Sequence, residues 1–225
     1  MIVDNFDLIR SLLKFEDKND FYFLQIIQRK KDGGIIPQCN RNNGYRTIRS
    51  YYIRSLEEFD SRIERIKQLC EQNNARAYIN LNVRSAKEVA LEAAKAYIDL
   101  VREDRCYQGH RVYDHICGVT PKMGNKKKWI VDVDDLTKDE VDVICEKICK
   151  CRSGRHYNAI NDVYDNIIAE IPTVHGVHII THGFDVERFR EILEQTIALD
   201  LTKEQIKEIT TVKKDNPTLL YFHTI

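Results

Sequence analysis

The chain has 225 residues, of which 43% are hydrophobic and 31% are charged, which is typical of a globular protein. Its 35 Lys and Arg balance its 35 Asp and Glu, so no global field attracts it to nucleic acid or membrane. Any surface that binds nucleic acid must therefore be a local patch. No apolar run approaches the roughly 20 residues that span a bilayer, and the first residues lack a signal-peptide pattern. The seven cysteines are accordingly expected to be reduced thiols of a cytoplasmic protein.

Hydrophobic periodicity predicts helices and strands that are interleaved along the chain. The predicted helices cover residues 4–14, 55–72, 86–102, 137–150, 185–199 and 202–209. The predicted strands cover residues 21–30, 45–53, 75–85, 129–135, 167–174, 177–184 and 218–222. The polar, aperiodic stretch 103–128 is predicted to be a long loop or a small insertion.

This order of elements predicts a mixed α/β, or α+β, fold in which helices pack on a mixed sheet. Hairpin-like strand pairs are expected at 21–53 and at 167–184. Residues 1–225 are expected to form one domain, with an N-terminal strand–helix part at 1–74 and a candidate catalytic core at 75–225.

The stretch WIVDVDD, residues 129–135, is a hydrophobic run that turns acidic at its C-terminal end. Strand side chains alternate between faces, so Asp132 and Asp134 are expected on one face, roughly 6–7 Å apart. Two carboxylates on one face repel each other, and a divalent metal is a common solution. The alternative is a strand that leads into a helix capped by Asp135 or Thr137.

A second pattern is IPTVHGVHIITHGFD, residues 171–185. Gly176 permits a tight turn, and His178 follows it on the second strand of the predicted hairpin. A histidine in this position can contact an anionic ligand or a metal, although a core or edge histidine bonded to carbonyls is the alternative. Asp185 would point to the other face of a regular strand, and it is also a possible helix cap.

A third pattern is VKKDNPTLLYF, residues 212–222, in which Asp215 precedes the strand break at Pro217. Lys213 and Lys214 place two positive charges before this acid. A simple turn with solvated lysines is the alternative interpretation.

Together these patterns resemble the archaeo-eukaryotic primase superfamily, the primase-polymerases. That family has a hydrophobic strand with Asp-x-Asp, a small-x-His strand after a hairpin turn, and a later strand with a single acid. IVDVD at 130–134 matches the first motif, and GVHII at 176–180 matches the second. Asp215 is preferred to Asp185 for the third, although lysines precede Asp215 where the family usually has a hydrophobic residue. The resemblance covers roughly residues 75–222.

The resemblance implies a nucleotidyltransferase with two Mg²⁺ or Mn²⁺ ions held by Asp132, Asp134 and Asp215. These ions would activate a 3′-hydroxyl and neutralise the leaving pyrophosphate. It further implies that His178 contacts the phosphates of an incoming nucleoside triphosphate. The implied partners are a single-stranded or primed template and a separate helicase or replication protein. Such a domain is expected to be encoded by a phage or by a mobile element.

Basic residues are also candidates for contact with the triphosphate or the template. Arg84 ends a predicted strand beside Asn82 and Ser85, which add hydrogen-bonding groups. Lys128, the last of three lysines before the acidic strand, is the second candidate. A solvated charged face is the alternative for both.

Two further interpretations of the acidic strand are considered. A haloacid-dehalogenase-like phosphatase also begins with a hydrophobic strand that ends in Asp-x-Asp. It needs a later Lys and a later acidic pair, and no acidic pair follows a convincing hydrophobic strand here. A diverged relative that binds nucleotide or nucleic acid without turnover is the other interpretation, and an incomplete acid triad would favour it.

Cysteines and histidines form two clusters that raise the possibility of zinc, although neither has paired Cys-x-x-Cys spacing. The clusters are Cys106, His110, His115 and Cys117, and Cys145, Cys149, Cys151 and His156. Buried thiols are the simpler interpretation of the second cluster. Several tyrosines could stack nucleic-acid bases, although ordinary core and surface roles are the alternative at this density of aromatic residues. They are Tyr45, Tyr51, Tyr52 and Tyr107.

Overall fold

Helices and antiparallel strands succeed one another along the chain and form an α+β fold, which confirms the predicted fold class. This computed structural model describes residues 1–33, 44–124, 126–151, 166–196 and 201–223. The described helices are α1 (Phe6–Leu12), α2 (Leu56–Asn73), α3 (Ala86–Arg102), α4 (Val112–Val119), α5 (Lys138–Lys150), α6 (Val186–Glu194) and α7 (Lys203–Thr210). The described strands are β1 (Ile2–Asp4), β2 (Asp20–Arg29), β3 (Tyr45–Ile53), β4 (Arg76–Asn80), β5 (Arg84–Ser85), β6 (Trp129–Asp134), β7 (Ile167–Pro172), β8 (Gly176–Thr181) and β9 (Pro217–His223).

The chain divides into two compact units. Unit 1 comprises Met1–Asn125 and Pro217–Ile225, and unit 2 comprises Lys126–Asn216. The boundary expected at residue 74 falls inside unit 1, where β2 and β4 pair as neighbouring strands. The assignment of residues 1–225 to one domain stays a prediction.

Unit 1 is built on an antiparallel sheet with the strand order β1-β9-β4-β2-β3, and β5 pairs with the start of β2. Alternating strand residues such as Leu24, Ile26 and Ile79 are fully buried, because the sheet is covered by helices. Serine side chains start the two longest helices. Ser55 accepts a hydrogen bond from the Glu58 N–H, and Ser85 accepts one from the Glu88 N–H.

The stretch 103–128, predicted to be a long loop or a small insertion, contains ordered helical structure, so the long-loop alternative is wrong. A 3₁₀ helix covers Cys106–Arg111, and α4 follows it directly. Val112 and Cys117 are buried, and Cys117 packs with Phe21 and Phe23 of β2. A helix of eight residues buries too few side chains to give a recognisable period, which is why the sequence does not reveal it.

Unit 2 is built on a three-stranded antiparallel sheet with the order β6-β8-β7. The β7–β8 hairpin confirms the strand pair expected at 167–184, and the β2–β3 pair confirms the one at 21–53. One face of the sheet joins α5, α6 and α7 in a hydrophobic core. Its buried members are Val131, Val133, Val141, Ile144, Cys145, Ile148, Cys151, Ile179, Phe184, Phe189, Leu193 and Ile209.

Among the described residues, no helix combines the length and the apolar character needed to cross a membrane.

Candidate functional site in unit 2

Strand β6 separates an apolar face from an acidic one. Val131 and Val133 are fully buried in the core of unit 2, whereas Asp132 is partly exposed and Asp134 is exposed. The alternation follows from the pleat of a strand, whose successive side chains point to opposite faces. The predicted strand at 129–135 is therefore confirmed, and the two aspartates share the face away from the core.

The first two motifs meet as directly paired residues. In the antiparallel register of β6 and β8, Asp132 lies opposite His178 and Asp134 lies opposite Gly176. The His178 Nε2 atom lies 3.2 Å from the Asp132 Oδ1 atom, within reach of an ionic hydrogen bond. The side chain of His178 is 12% exposed and that of Asp132 is 26% exposed, so solvent screens this contact only in part.

Lys213, which follows α7, is the second basic residue in contact with Asp132. Lys213 and Ile130 form an antiparallel bridge, with N–H···O distances of 2.8 and 2.9 Å in the two directions. The bridge aligns Lys213 with the acidic face of β6, and its Nζ atom donates a hydrogen bond to Asp132 Oδ2. Each oxygen of the Asp132 carboxylate therefore has a basic partner.

These contacts determine the ionisation of Asp132. Burial by itself raises the pKa of the Asp132 carboxyl, because it disfavours the charged form. Hydrogen bonds from His178 and Lys213, together with their charges, outweigh burial and hold this pKa well below its usual range. Asp132 is therefore an anion throughout the physiological pH range.

A pocket of about 280 Å³ opens beside the acidic face of β6. Asp132, Asp134 and Lys213 line one side of it, and α7 lines the other with Gln205 and Glu208. Sequence reasoning did not identify Gln205 and Glu208 as site residues. They are three positions apart on a helix that starts at a capping box, so their shared face could have been inferred, but not their proximity to β6.

The third acid predicted from the sequence, Asp215, does not line this pocket among the described residues. The chain bends at Lys214 and Asp215 directly after the Ile130–Lys213 bridge, so the strand pairing does not continue to Asp215. A metal site shared by Asp132, Asp134 and Asp215 stays a prediction.

Two further aspartates near the candidate site, Asp185 and Asp135, lie shortly before helices α6 and α5. Asp185 is the N-cap of α6, where its side chain accepts a hydrogen bond from the Arg188 N–H. The interpretation of Asp185 as a helix cap is therefore confirmed. Asp135 adopts a left-handed conformation with φ of 58°, and the cap of α5 is Thr137, in a capping box with Glu140. Of the two residues offered as caps of this helix, Thr137 is confirmed and Asp135 is wrong.

Gly176 is required by a close approach of two strands rather than by the turn. A Cβ atom at this position would lie 1.9 Å from the Val133 carbonyl oxygen and 2.7 Å from the Asp134 Cα atom. Gly176 also takes part in the hairpin, where its carbonyl accepts a hydrogen bond from the Thr173 N–H at 2.9 Å, but its φ does not lie in the left-handed region. Gly176 thus allows β8 to lie against the end of β6 that carries Asp134.

The two basic candidates for nucleotide binding have different environments. Arg84 belongs to unit 1, is fully buried, and donates hydrogen bonds to the carbonyls of Asn82, Cys117 and Gly118. A guanidinium group held in this way tethers the β5 region to α4, so its predicted contact with nucleotide gains no support. Lys128 is half-buried and lies immediately before β6 in unit 2.

The chemistry of the acidic face suits a divalent metal only in part. Asp132 and Asp134 offer the carboxylate oxygens that Mg²⁺ and Mn²⁺ prefer, and Mg²⁺ commonly uses one or two carboxylates together with substrate phosphates. Within the described ranges, no group of three or more His, Cys, Asp or Glu side chains is arranged to hold a metal ion. The residues therefore fit a metal that arrives with a nucleotide, not a preformed cage.

The absence of such a group among the described residues also applies to zinc at the two clusters of cysteine and histidine. One member of the second cluster, His156, lies outside the described residues. Burial raises the pKa of the Cys117 and Cys145 thiols to about 12, which disfavours the thiolate that binds zinc. Cys145 lies in the core of unit 2, as expected for a buried structural thiol.

Comparison with protein-family models, with curated proteins and with solved structures finds no match to this chain. The resemblance to primase-polymerases therefore rests on the sequence motifs alone and stays a prediction.

Proposed function

We propose that this chain is a metal-dependent nucleotidyltransferase of the primase-polymerase type, with its site on the acidic face of β6. The observation that carries the proposal is the pairing of Asp132 with His178. The resemblance implies that the Asp-x-Asp and small-x-His motifs act on one nucleotide, and these motifs lie on neighbouring strands with Asp132 opposite His178.

Asp132 and Asp134 are the acids of the proposed reaction. Hydrogen bonds and charges from His178 and Lys213 keep the Asp132 carboxylate ionised. A carboxylate must be ionised to bind a metal. Asp134 is exposed at the pocket, where a ligand can reach it without displacing protein atoms. Bound Mg²⁺ or Mn²⁺ would neutralise charge on the triphosphate and activate the attacking 3′-hydroxyl.

His178 and Lys213 are the groups that orient the phosphates in this proposal. Both contact Asp132, so both present positive or hydrogen-bonding atoms at the edge of the acidic face. A nucleoside triphosphate is the substrate that combines metal-binding oxygens with the negative charge these groups attract. The acceptor is the 3′-hydroxyl of a nucleic-acid strand held on a template.

A cytoplasmic location and a separate helicase or replication protein as partner belong to the same proposal. The described cysteines are free thiols, as in a reducing compartment.

A second candidate function is nucleotide or nucleic-acid binding without turnover. Lys213 pairs with Asp132 and so supplies a positive charge on the acidic face itself. Asp215 does not line the pocket beside Asp132 and Asp134 in the described part of the chain. Both observations favour a relative that retains the site but lacks the complete acid set.

The deciding experiment is extension of a labelled primer on a template in the presence of Mn²⁺ and each nucleotide pool. Wild-type protein is compared with Asp132→Ala and with Asp139→Ala, which changes an exposed acid of α5 outside the pocket. We expect extension by wild type and by Asp139→Ala, and at least about a hundredfold loss for Asp132→Ala, the scale of removing a group essential to charge stabilisation.

Equal extension by wild type and Asp132→Ala would contradict the proposal. If neither protein extends the primer but Mn²⁺-dependent nucleotide binding is lost in Asp132→Ala, the binding function replaces it. Release of inorganic phosphate without extension would instead fit the phosphatase alternative, for which Lys213 beside Asp132 supplies the required later lysine.

A further inference from the structure

Helix α3 of unit 1 carries an apolar stripe on its exposed side. Leu91, Ile98 and Val101 are 55%, 52% and 66% exposed, and Ala94 is exposed as well. Their spacing of three, four and three residues places the four side chains on one face of the helix. These four residues are called the α3 stripe below.

The side of α3 that packs inside unit 1 is apolar too. Val89 and Ala93 are buried there, and Val89 belongs to one hydrophobic cluster with Phe21 of β2 and Cys117 of α4. A surface helix normally has one apolar stripe and a polar face opposite it. Because α3 is apolar on two sides, it has the pattern of a helix that is covered on both.

Scattered exposed apolar residues are ordinary and would not support this conclusion. Met123, which is 80% exposed in a turn after α4, is such a case. The α3 stripe differs because its members follow the alternating three- and four-residue spacing of helices that pair through a and d positions. The spacing therefore indicates that a second helix packs along α3.

The two borders of the α3 stripe differ in character. On one border Lys95 binds Glu92 at 2.6 Å, and Arg102 lies 3.6 Å from Asp99. The other border carries Tyr97, which is 42% exposed. If a second copy of α3 runs antiparallel about a two-fold axis, the charged borders face each other and the aromatic borders face each other. A parallel pair would instead place the charged border against the tyrosine.

The α3 stripe is complementary to itself in this antiparallel arrangement. The register that uses all four side chains places Leu91 against Val101 of the second copy and Ala94 against Ile98 of the second copy. Each layer then combines side chains of different size, and the smallest meets a large one. Every contact is made twice, as a two-fold interface requires.

The charges of the border are complementary in the same register. Glu92 comes close to Arg102 of the second copy, and Asp99 comes close to Lys95 of the second copy. Each acid therefore gains an opposite charge from the other chain in addition to the base on its own helix. This complementarity favours a second copy of the chain over an unrelated helix.

We infer that α3 is a self-association surface, through which two copies of this chain form an antiparallel two-fold dimer. The α3 stripe spans ten residues, which is about 15 Å of helix. A contact of this length falls short of the roughly 1,200–2,000 Å² of stable interfaces, so the dissociation constant is expected to be on the order of 10–100 µM. The inference is independent of the proposed function, because the residues that carry it all belong to α3.

Sedimentation equilibrium of the full chain, from about one tenth to ten times the expected dissociation constant, tests the inference. The variant is Ile98→Asp, which places a charge in the middle of the α3 stripe. The matched control is Met123→Asp, which makes the same kind of change at an exposed apolar residue outside α3. Circular dichroism establishes that each variant is folded.

Wild type and Met123→Asp should approach the mass of a dimer at the highest concentrations. Ile98→Asp should bind at least about tenfold more weakly, since a charge buried in an apolar contact is unpaired. Association of Ile98→Asp equal to that of wild type would overturn the inference. Wild type that stays monomeric throughout would also overturn it, in favour of another protein or another segment of this chain on the α3 stripe.

A pair of charge variants tests the antiparallel orientation. One carries Glu92→Lys with Asp99→Lys, and the other carries Lys95→Glu with Arg102→Glu. Each variant alone should dissociate at low salt, because its two charged borders have the same sign, and an equal mixture should associate at least as tightly as wild type. Wild-type association by each variant alone, or a mixture that stays monomeric, would refute the antiparallel dimer.

Discussion

At the scale of single residues, the carboxylate of Asp132 combines partial burial with two basic partners. Sequence reasoning proposed Asp132 and His178 as candidate site residues from the order of their motifs, and the strand register explains their contact. It did not identify the contact with Lys213, because an isolated bridge formed after α7 leaves no local pattern. The predicted contact of Arg84 with nucleotide stays a prediction, and within unit 1 its guanidinium donates to backbone carbonyls.

Lys213→Met should lower stability in a pH-dependent manner. The folded-state pKa of Asp132 lies below its unfolded value of about 3.9, so its stabilising contribution is present above that value and is lost as the pH falls through the folded-state pKa. Removal of the ammonium group raises the folded-state pKa of Asp132. We expect a loss of about 1–3 kcal/mol, the value of a hydrogen bond to a charged group, at neutral pH.

Urea unfolding of wild type and Lys213→Met across a pH series measures this effect. The difference in unfolding free energy should be largest above about pH 4 and should shrink in stronger acid, where Asp132 becomes protonated. Lys207→Met on α7 is the control, because Lys207 is exposed and lies outside the pocket lining. A difference that does not change with pH would mean that Lys213 stabilises the fold by packing alone.

At the scale of elements, sequence periodicity predicted most helices and strands, because their buried faces are long enough to repeat. α2 and β6 follow their expected patterns closely. α4 was missed because its eight residues bury only Val112 and Cys117, and the three-residue β1 is equally short. The reason for Gly176 was also missed, since the sequence suggests a turn and cannot show that β6 lies against it.

Gly176→Ala should strongly destabilise unit 2. The added methyl group would lie 1.9 Å from the Val133 carbonyl oxygen, which belongs to the backbone and cannot move without breaking the β6–β8 pairing. We expect a loss of about 3 kcal/mol or more, the upper part of the range for single substitutions. Thermal and urea denaturation measure it.

Gly118→Ala is the matched control, because a Cβ atom on this residue of α4 would meet no atom within 4 Å. Alanine should be neutral there or should stabilise by up to about 1 kcal/mol through helix propensity. Similar destabilisation by both substitutions would show that the close approach at Gly176 is not the cause.

At the scale of the whole molecule, the residues of unit 2 are continuous in sequence and those of unit 1 are not. The hydrophobic core of unit 2 is formed entirely from residues between Trp129 and Val212. The Ile130–Lys213 bridge holds the two ends of this segment together. These features describe an inserted unit, which a linear reading of periodicity could not separate from its surroundings.

A fragment of residues 126–216 should therefore fold by itself. Trp129, the single tryptophan of the chain, packs on Phe184 inside this unit, with ring centroids 5.8 Å apart. Its fluorescence spectrum in the fragment should match that of the full chain, and urea should unfold the fragment in one cooperative transition. Val131→Asp, which places a charge in the core, should abolish that transition. A fragment with solvent-exposed tryptophan fluorescence and no transition would contradict the prediction.

The interior position of β9, between β1 and β4 in the larger sheet, has a consequence for biosynthesis. β9 joins β1 to β4, although the ribosome makes β9 only after the whole of unit 2. Unit 2 of a nascent chain can thus fold before β9 is synthesised. Until then β1 and one edge of β4 lack the strand that pairs with both of them. Such open edges are templates for wrong pairing between chains. Premature termination before residue 217 would accordingly leave a folded unit 2 attached to a sheet with unpaired strand edges. Chaperones and proteases would recognise such an incomplete sheet.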